Sequence, residues 1–261
     1  MSQEERDAIT LINHDKKIFA ILHKPLYAKK VPAVVFCPGF GGTKVGKHRL
    51  LVRLAQELAK QEIAVLRFDY RGAGDSEGEF DEMTVETQLS DTLLGLDYVA
   101  NQANIDPDRI GLLGRSLGGA IAVLAARRFV SVKSMALWAP VFSSEPWQKL
   151  WESYQKKPLQ FAPKDVLASL PNMPSLAFLQ QFFNLDIAQE LSGLSETPLL
   201  HIHGEHDNVV KIEHAESYRK IRQENEKTRF IKLATGDHDF SDVQDQKTAL
   251  LETVRWFKDT L

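Results

Sequence analysis

The sequence predicts an α/β protein in which a mostly parallel central sheet carries helices on both faces. Three observations lead there. Short apolar, β-branched runs recur along the 261 residues, and most are separated by segments with apolar residues at helical spacing. Within the runs there is little alternation of apolar and polar residues, the pattern of strands buried on both faces.

The runs that read as strands are Ile18 to Leu22, Ala33 to Cys37, Ala64 to Phe68, Ile110 to Leu113, Ser134 to Val141, Pro198 to Ile202 and Phe230 to Leu233. Helices are expected where Leu50, Leu51, Leu54 and Leu58 repeat, where Val85, Leu89, Leu93, Leu96 and Val99 repeat, and in the alanine-rich run with Ile121, Val123 and Leu124. A last helix is expected from about Gln244 to Lys258, with Leu250, Val254 and Phe257 on its inner face. From about residue 142 to 196 the alternation stops, and prolines and aromatics dominate. Trp147, Leu150, Trp151 and Tyr154 form one helical stripe, and Leu176, Leu179, Phe182 and Phe183 form another. Two readings stand: helices packed on the main core, or a cap inserted over a binding cleft, with Trp147, Trp151 and Tyr154 against the substrate.

With no repeat, low-complexity tract or Ser/Gly linker, the chain reads as one domain over residues 1–261. Lys and Arg number 32 against 35 Asp and Glu, and the formal charge of −3 gives no simple electrostatic case for a nucleic acid or an anionic membrane. Cys37 is the single cysteine, so neither an intrachain disulfide nor a multi-cysteine zinc site can form. Apolar runs such as Ala33 to Cys37 are far below membrane-spanning length, and Met1 to Asp7 is charge-rich. The expectation is a soluble cytoplasmic protein acting on a small molecule, without a nucleic-acid partner or membrane span. The sequence does not fix the oligomeric state, and a homodimer is compatible with it.

The chemistry is concentrated after the fourth of these runs. Gly114-Arg115-Ser116-Leu117-Gly118 places a G-x-S-x-G sequence between a strand and a helix, where a sharp turn projects the serine and the glycines allow helix and strand to pass closely. A serine hydroxyl needs a base, and the base an acid to fix its tautomer. His203-Gly204-Glu205-His206-Asp207 follows one strand and supplies Asp207 as acid, with Glu205 as the substitute candidate; Gly236-Asp237-His238 follows the next and supplies His238 as base. An oxyanion needs two backbone N–H donors: Leu117, after the nucleophile, and Phe40 in Pro38-Gly39-Phe40-Gly41-Gly42.

With these motifs, and with Arg67-Phe68-Asp69-Tyr70-Arg71-Gly72-Ala73-Gly74-Asp75-Ser76-Glu77-Gly78, nearly the whole chain resembles the α/β-hydrolase superfamily. Within it, the chain is similar to bacterial feruloyl and cinnamoyl esterases. The resemblance implies an α/β-hydrolase fold, a triad of Ser116, Asp207 and His238, oxyanion donors at Phe40 and Leu117, and a cap between the sixth and seventh strands. It also implies hydrolysis of aromatic or medium-length acyl esters through an acyl-enzyme, with no metal or organic cofactor. Thioesters, acylglycerols and small amides or peptides use the same machinery, and a non-catalytic ligand-binding member is a further alternative. Two residues depart from the usual pattern: Pro38 stands where members commonly have His, and Arg115 where they often have His or Tyr.

Competing constellations are weaker. Gly41 to Lys47 approaches a phosphate-binding loop, but His48 replaces its hydroxyl residue. His201 to Asp207 resembles a metal cluster, yet His201 falls inside a strand. His14, His23, His48 and His214 have no partner motif and read as surface or packing residues, and the mixed charges of Lys211 to Arg229 read as a solvated helical face.

Overall fold

A computed structural model describes residues 4–26, 30–156, 174–223 and 225–261. Its strands are β1 (Glu4–Asn13), β2 (Lys16–Pro25), β3 (Val31–Cys37), β4 (Ala64–Phe68), β5 (Ile105–Arg115), β6 (Val132–Trp138), β7 (Leu199–Gly204) and β8 (Thr228–Leu233). They form one sheet in the order β1-β2-β4-β3-β5-β6-β7-β8. Only β1 and β2 run antiparallel to their neighbours; from β4 onward every pairing is parallel. This is the α/β-hydrolase fold.

Helix α1 (Leu50–Lys60) follows β3, α2 (Val85–Ala100) follows β4, and α3 (Leu117–Arg128) follows β5. Between β6 and β7 lie α4 (Glu145–Lys156), α5 (Leu176–Phe183) and α6 (Ile187–Ser192); α7 (Glu213–Arg222) precedes β8, and α8 (Val243–Thr260) ends the fold. Successive strand residues feed two separate cores. Val35, Leu66, Leu112 and Leu137 face α2, α3 and the helices between β6 and β7. Their neighbours Val34, Val65, Leu113 and Ala136 face α1 and α8. Both faces are therefore apolar, which is why the strands show continuous hydrophobic runs.

The observed boundaries differ from the expected ones in physical detail. Strand β6 stops at Trp138 rather than Val141, because Ala139 turns the chain with φ of 44°. Strand β1 was not expected at all: on this edge, charged residues such as Glu5 remain exposed and Leu11 alone is buried. The stretch from Lys211 is not merely a solvated face, since α7 buries His214, Ala215, Tyr218 and Arg222. Among the described residues, no helix is long and apolar enough to cross a membrane.

The sheet edge contains a buried polar relay. His23 on β2 donates from Nδ1 to Glu4 Oε2 at 2.6 Å, and its Nε2 accepts from Arg67 on β4 at 2.8 and 3.0 Å. Arg67 also donates to the Lys44 carbonyl in the loop after β3. Burial pushes the His23 imidazole down to about 4, outweighing the Glu4 hydrogen bond that would raise it. The unfolded chain thus binds the proton first as pH falls, and stability declines as pH drops from about 6.5 toward 4. His23 should account for about 1 to 2 kcal/mol of the loss between pH 7 and 5, and His23→Gln, which keeps one donor and one acceptor, should flatten the slope. Urea midpoints of the two proteins at both pH values measure this; equal slopes contradict it.

Candidate active site

The strand β5 runs directly into α3, and the turn between them is tight. A Cβ on Gly114 would lie 2.4 Å from the Gly118 carbonyl oxygen, and one on Gly118 would lie 2.1 Å from the Cys37 oxygen. No larger residue fits at either position. The intervening Ser116 takes φ 56° and ψ −125°, a conformation costly for a residue with a side chain. Its backbone is held by the end of β6 and the turn beyond it: Ser116 N donates to the Trp138 carbonyl at 2.9 Å, and Val141 N donates to the Ser116 carbonyl at 3.1 Å.

The loops after β7 and β8 are pinned to each other. Glu205 N donates to the Leu233 carbonyl and His206 N to the Gly236 carbonyl, both at 2.9 Å. Asp207, its side chain fully buried, accepts at Oδ1 from the amides of Val209 and Val210, each at 2.8 Å. Oδ2 accepts from His238 Nδ1 at 2.7 Å. With its proton on Nδ1, His238 presents Nε2 as acceptor to Ser116 Oγ, 3.1 Å away. The structure therefore brings Ser116, His238 and Asp207 into one hydrogen-bonded series. Glu205 is exposed and outside it.

His201 and His203, whose spacing resembles a metal cluster, support the acid's loop. His203 Nε2 donates to the Val210 carbonyl at 2.7 Å, which leaves Nδ1 to accept from His201 Nε2 at 3.1 Å. Both rings are buried, and burial holds both below the ordinary histidine value. His206 is exposed on the turn, and among the described residues no group of three or more His, Cys, Asp or Glu could hold a metal ion. Of the surface and packing roles expected for His214, the structure shows packing: its buried Nδ1 accepts from Phe142 N at 2.9 Å, and its ring lies 5.7 Å from that of Trp147.

Ser116 and His238 open on a cleft of about 640 Å³. Phe40, Val141, Trp147, Phe178, Leu179 and Phe182 make its apolar wall, whereas Lys47, Arg115 and Asp239 make a charged one. Phe40 and Leu117, the expected oxyanion donors, both line it. The Phe40 ring meets that of Phe178 in a tilted contact at 4.5 Å and that of Phe80 edge-to-face at 5.0 Å. Of the expected substrate contacts, Trp147 and Trp151 are both half-buried and pack on the core, and of the two Trp147 alone also lines the cleft. Tyr154 belongs to α4, but its side chain lies outside the described residues. The second stripe is rotated: Leu179 and Phe182 line the cleft together with Phe178, which the spacing did not single out, and Leu176 is 61% exposed.

The loop that resembled a phosphate-binding motif is held by its own ion pairs. Asp69 accepts from the Lys44 amide at 2.6 Å and pairs with the Lys44 ammonium, which also meets Asp75.

With this geometry in view, a profile of the prolyl oligopeptidase family matches residues 52–261. The chain belongs to that family. Among curated relatives, the quorum-quenching protein AidA of Acinetobacter baumannii is 32% identical over 136 residues, 51% of this chain and 44% of AidA. The uncharacterized protein YfhR of Salmonella typhi is 29% identical over 191 residues, 71% of this chain and 58% of YfhR. The chain thus spans about half the length of these relatives. Among solved structures, Est1E from Butyrivibrio proteoclasticus with bound ferulic acid superposes with a TM-score of 0.75 at 19% identity, covering 95% of this chain and 99% of that one. That likeness is one of fold, the α/β-hydrolase fold.

The different settings of the two tryptophans separate binding from packing. Trp147→Ala should lower kcat/KM for a bulky acyl ester by about 5- to 150-fold relative to an acetyl ester, the equivalent of about 1 to 3 kcal/mol of lost apolar contact. Trp151→Ala should lower the melting temperature by roughly 4 to 8 °C and leave that ratio unchanged. Both specificity constants and the melting curve of each variant test the assignment, and a changed ratio in Trp151→Ala alone reverses it.

Proposed function

We propose that the protein is a serine hydrolase that cleaves carboxylic esters with aromatic or medium-length acyl groups through an acyl-enzyme on Ser116. One observation carries the reading: the Ser116, His238 and Asp207 hydrogen-bond series, at 3.1 and 2.7 Å, opens on a cleft walled by aromatics. In this mechanism Ser116 Oγ attacks the ester carbonyl while His238 Nε2 takes its proton. The charge that develops on the carbonyl oxygen meets the amides of Phe40 and Leu117. His238 then gives the proton to the departing alcohol, and the acyl group remains on Ser116. A water molecule, deprotonated by His238, releases the acid and restores the serine. Asp207 keeps the imidazole in the Nδ1–H tautomer and balances its transient positive charge.

The residues from about 142 to 196 act in this reading as a cap on a single hydrolase domain, and α4 and α5 hold the acyl group with Trp147, Phe178 and Phe182. A volume of about 640 Å³ accommodates a hydroxycinnamoyl or medium alkyl chain. The fold of Est1E, which binds ferulic acid, agrees with a feruloyl-esterase-like preference. The family match favours a second reading, in which the same serine cleaves small peptides or amides. A panel of hydroxycinnamate esters, straight-chain p-nitrophenyl esters and aminoacyl amides separates the two.

Ser116→Ala and His238→Ala should each lower kcat by roughly 10⁴-fold while the fold is retained, because the three groups act as a unit. Asp207→Asn should be impaired by roughly 10³- to 10⁴-fold, and exposed Glu205→Gln should stay close to the parent. Circular dichroism confirms folding and ester turnover reads the loss; near-normal turnover in folded Ser116→Ala refutes the mechanism.

A further inference from the structure

We propose that Arg115 is a positioning residue for the base, and that the ion triad of Arg115, Asp239 and Lys47 keeps three functional loops in register. The proposal rests on the serine-hydrolase reading above. Arg115 immediately precedes Ser116, so the strained elbow fixes its backbone as firmly as it fixes the nucleophile. Its Nη2 donates to the His238 carbonyl at 2.9 Å and to Asp239 Oδ1. Lys47, in the loop that follows the Gly39 to Gly42 turn, meets Asp239 Oδ2 at 2.6 Å. One carboxylate thus joins the elbow, the base loop and the segment beyond the expected oxyanion donor Phe40.

The base loop is wound on itself by local bonds, which do not set its distance from the elbow. Asp237 Oδ1 accepts from the amides of Asp239 and Ser241 at 3.1 and 2.8 Å, and Phe240 N donates to the Asp237 carbonyl at 3.3 Å. The base loop is also tied to the acid loop, His206 N donating to the Gly236 carbonyl, and at His238 itself two bonds come from outside the loop besides that to Ser116. Asp207 holds the ring at Nδ1, while Arg115 holds the backbone from which the ring hangs. With the backbone restraint gone, the ring pivots about its Asp207 bond and Nε2 moves relative to Oγ. A displacement of about 1 Å can cost roughly 100-fold in rate. The Arg115 and Asp239 pair is suited to this duty because its side chains are only 16% and 23% exposed, whereas Lys47 reaches in from solvent at 66% exposed. Burial opposes the charge on Asp239, yet Lys47 and Arg115 hold its carboxyl below the ordinary range.

The test compares the parent with Arg115→Met and Arg115→Lys on p-nitrophenyl acetate, whose acyl group is too small to need the cleft wall. Active sites are counted by phosphonate titration, so that misfolded protein does not enter kcat. Arg115→Met should lose about 10- to 100-fold in kcat per titrated site at nearly unchanged KM, and Arg115→Lys, with a single reach to one acceptor, should recover part of it. Asp239→Asn, which keeps an acceptor at Oδ1, should lose less than Arg115→Met. An unchanged kcat per site with a lower melting temperature makes Arg115 a packing residue and overturns the proposal. A raised KM at unchanged kcat makes it a substrate contact and overturns it equally. If Arg115→Met does not fold, Arg115→Lys decides by the same criteria. A parent that neither titrates nor turns over any ester refutes the serine-hydrolase reading and this proposal together, whereas an active parent with an indifferent Arg115 variant refutes the latter alone.

Discussion

The close passage of α3 over the ends of β3 and β5 is the constraint from which the site follows. Because Gly118 stands where a Cβ would be 2.1 Å from the Cys37 oxygen, the helix starts immediately at the strand end, with no room for a relaxed connecting loop. The cost is concentrated at Ser116, at φ 56°, and the two buried cores on either side of the sheet hold it there. The same crossing brings Leu117, at the start of α3, against the loop that carries Phe40. Nucleophile and expected oxyanion donors are therefore set by backbone packing, before any side-chain hydrogen bond is considered.

The acid and base depend on a different kind of support. Asp207 and His238 lie on loops, and loops acquire fixed geometry only when their polar groups are answered locally. Here the answers are backbone bonds between the two loops, two amides on Asp207 Oδ1, and the His203 ring on the Val210 carbonyl. The His201 and His203 pair illustrates how a sequence of histidines beside an aspartate can mislead. Burial pushes both rings below the ordinary histidine value, and their hydrogen bonds run from His201 through His203 to the Val210 carbonyl, leaving them as struts for the acid.

How much of this could be seen in the sequence depended on whether burial imposed a pattern. Strands β3 to β7 are legible because both of their faces are apolar over most of their length, and the elbow because its glycines are sterically required. β1 was missed because it is an edge strand with one neighbour and mostly exposed side chains, so nothing forces its residues toward the apolar, β-branched types. α7 was taken for a solvated face since its charged residues outnumber the few that reach inward, chief among them Tyr218, whose hydroxyl donates to the Val141 carbonyl at 3.1 Å. Ser116, Asp207 and His238 stood out through short motifs at strand ends. The contacts among Arg115, Lys47 and Asp239 do not, although Arg115 itself departs from the usual pattern, because their partners lie far away in the chain and no spacing announces a contact across 124 residues.

The cleft's two walls connect these layers to substrate choice. Phe40 contributes its amide to the proposed oxyanion site and its ring to the aromatic wall, where it is held between Phe80 and Phe178. Phe178 belongs to α5, so the residues that would grip an acyl group and the backbone that would stabilise its carbonyl share a direct ring contact. In the proposed reaction, an acyl chain against Phe178 would therefore also bear on Phe40, so that binding remote from the reacting carbon is expressed at the carbonyl. On the opposite wall, Lys47 and Arg115 are tied to Asp239 and so are less free to attract anionic substrates than two isolated cations would be. Selectivity in the proposed reaction accordingly resides in the shape and apolarity of the aromatic wall, while the charged wall maintains the alignment of the loops.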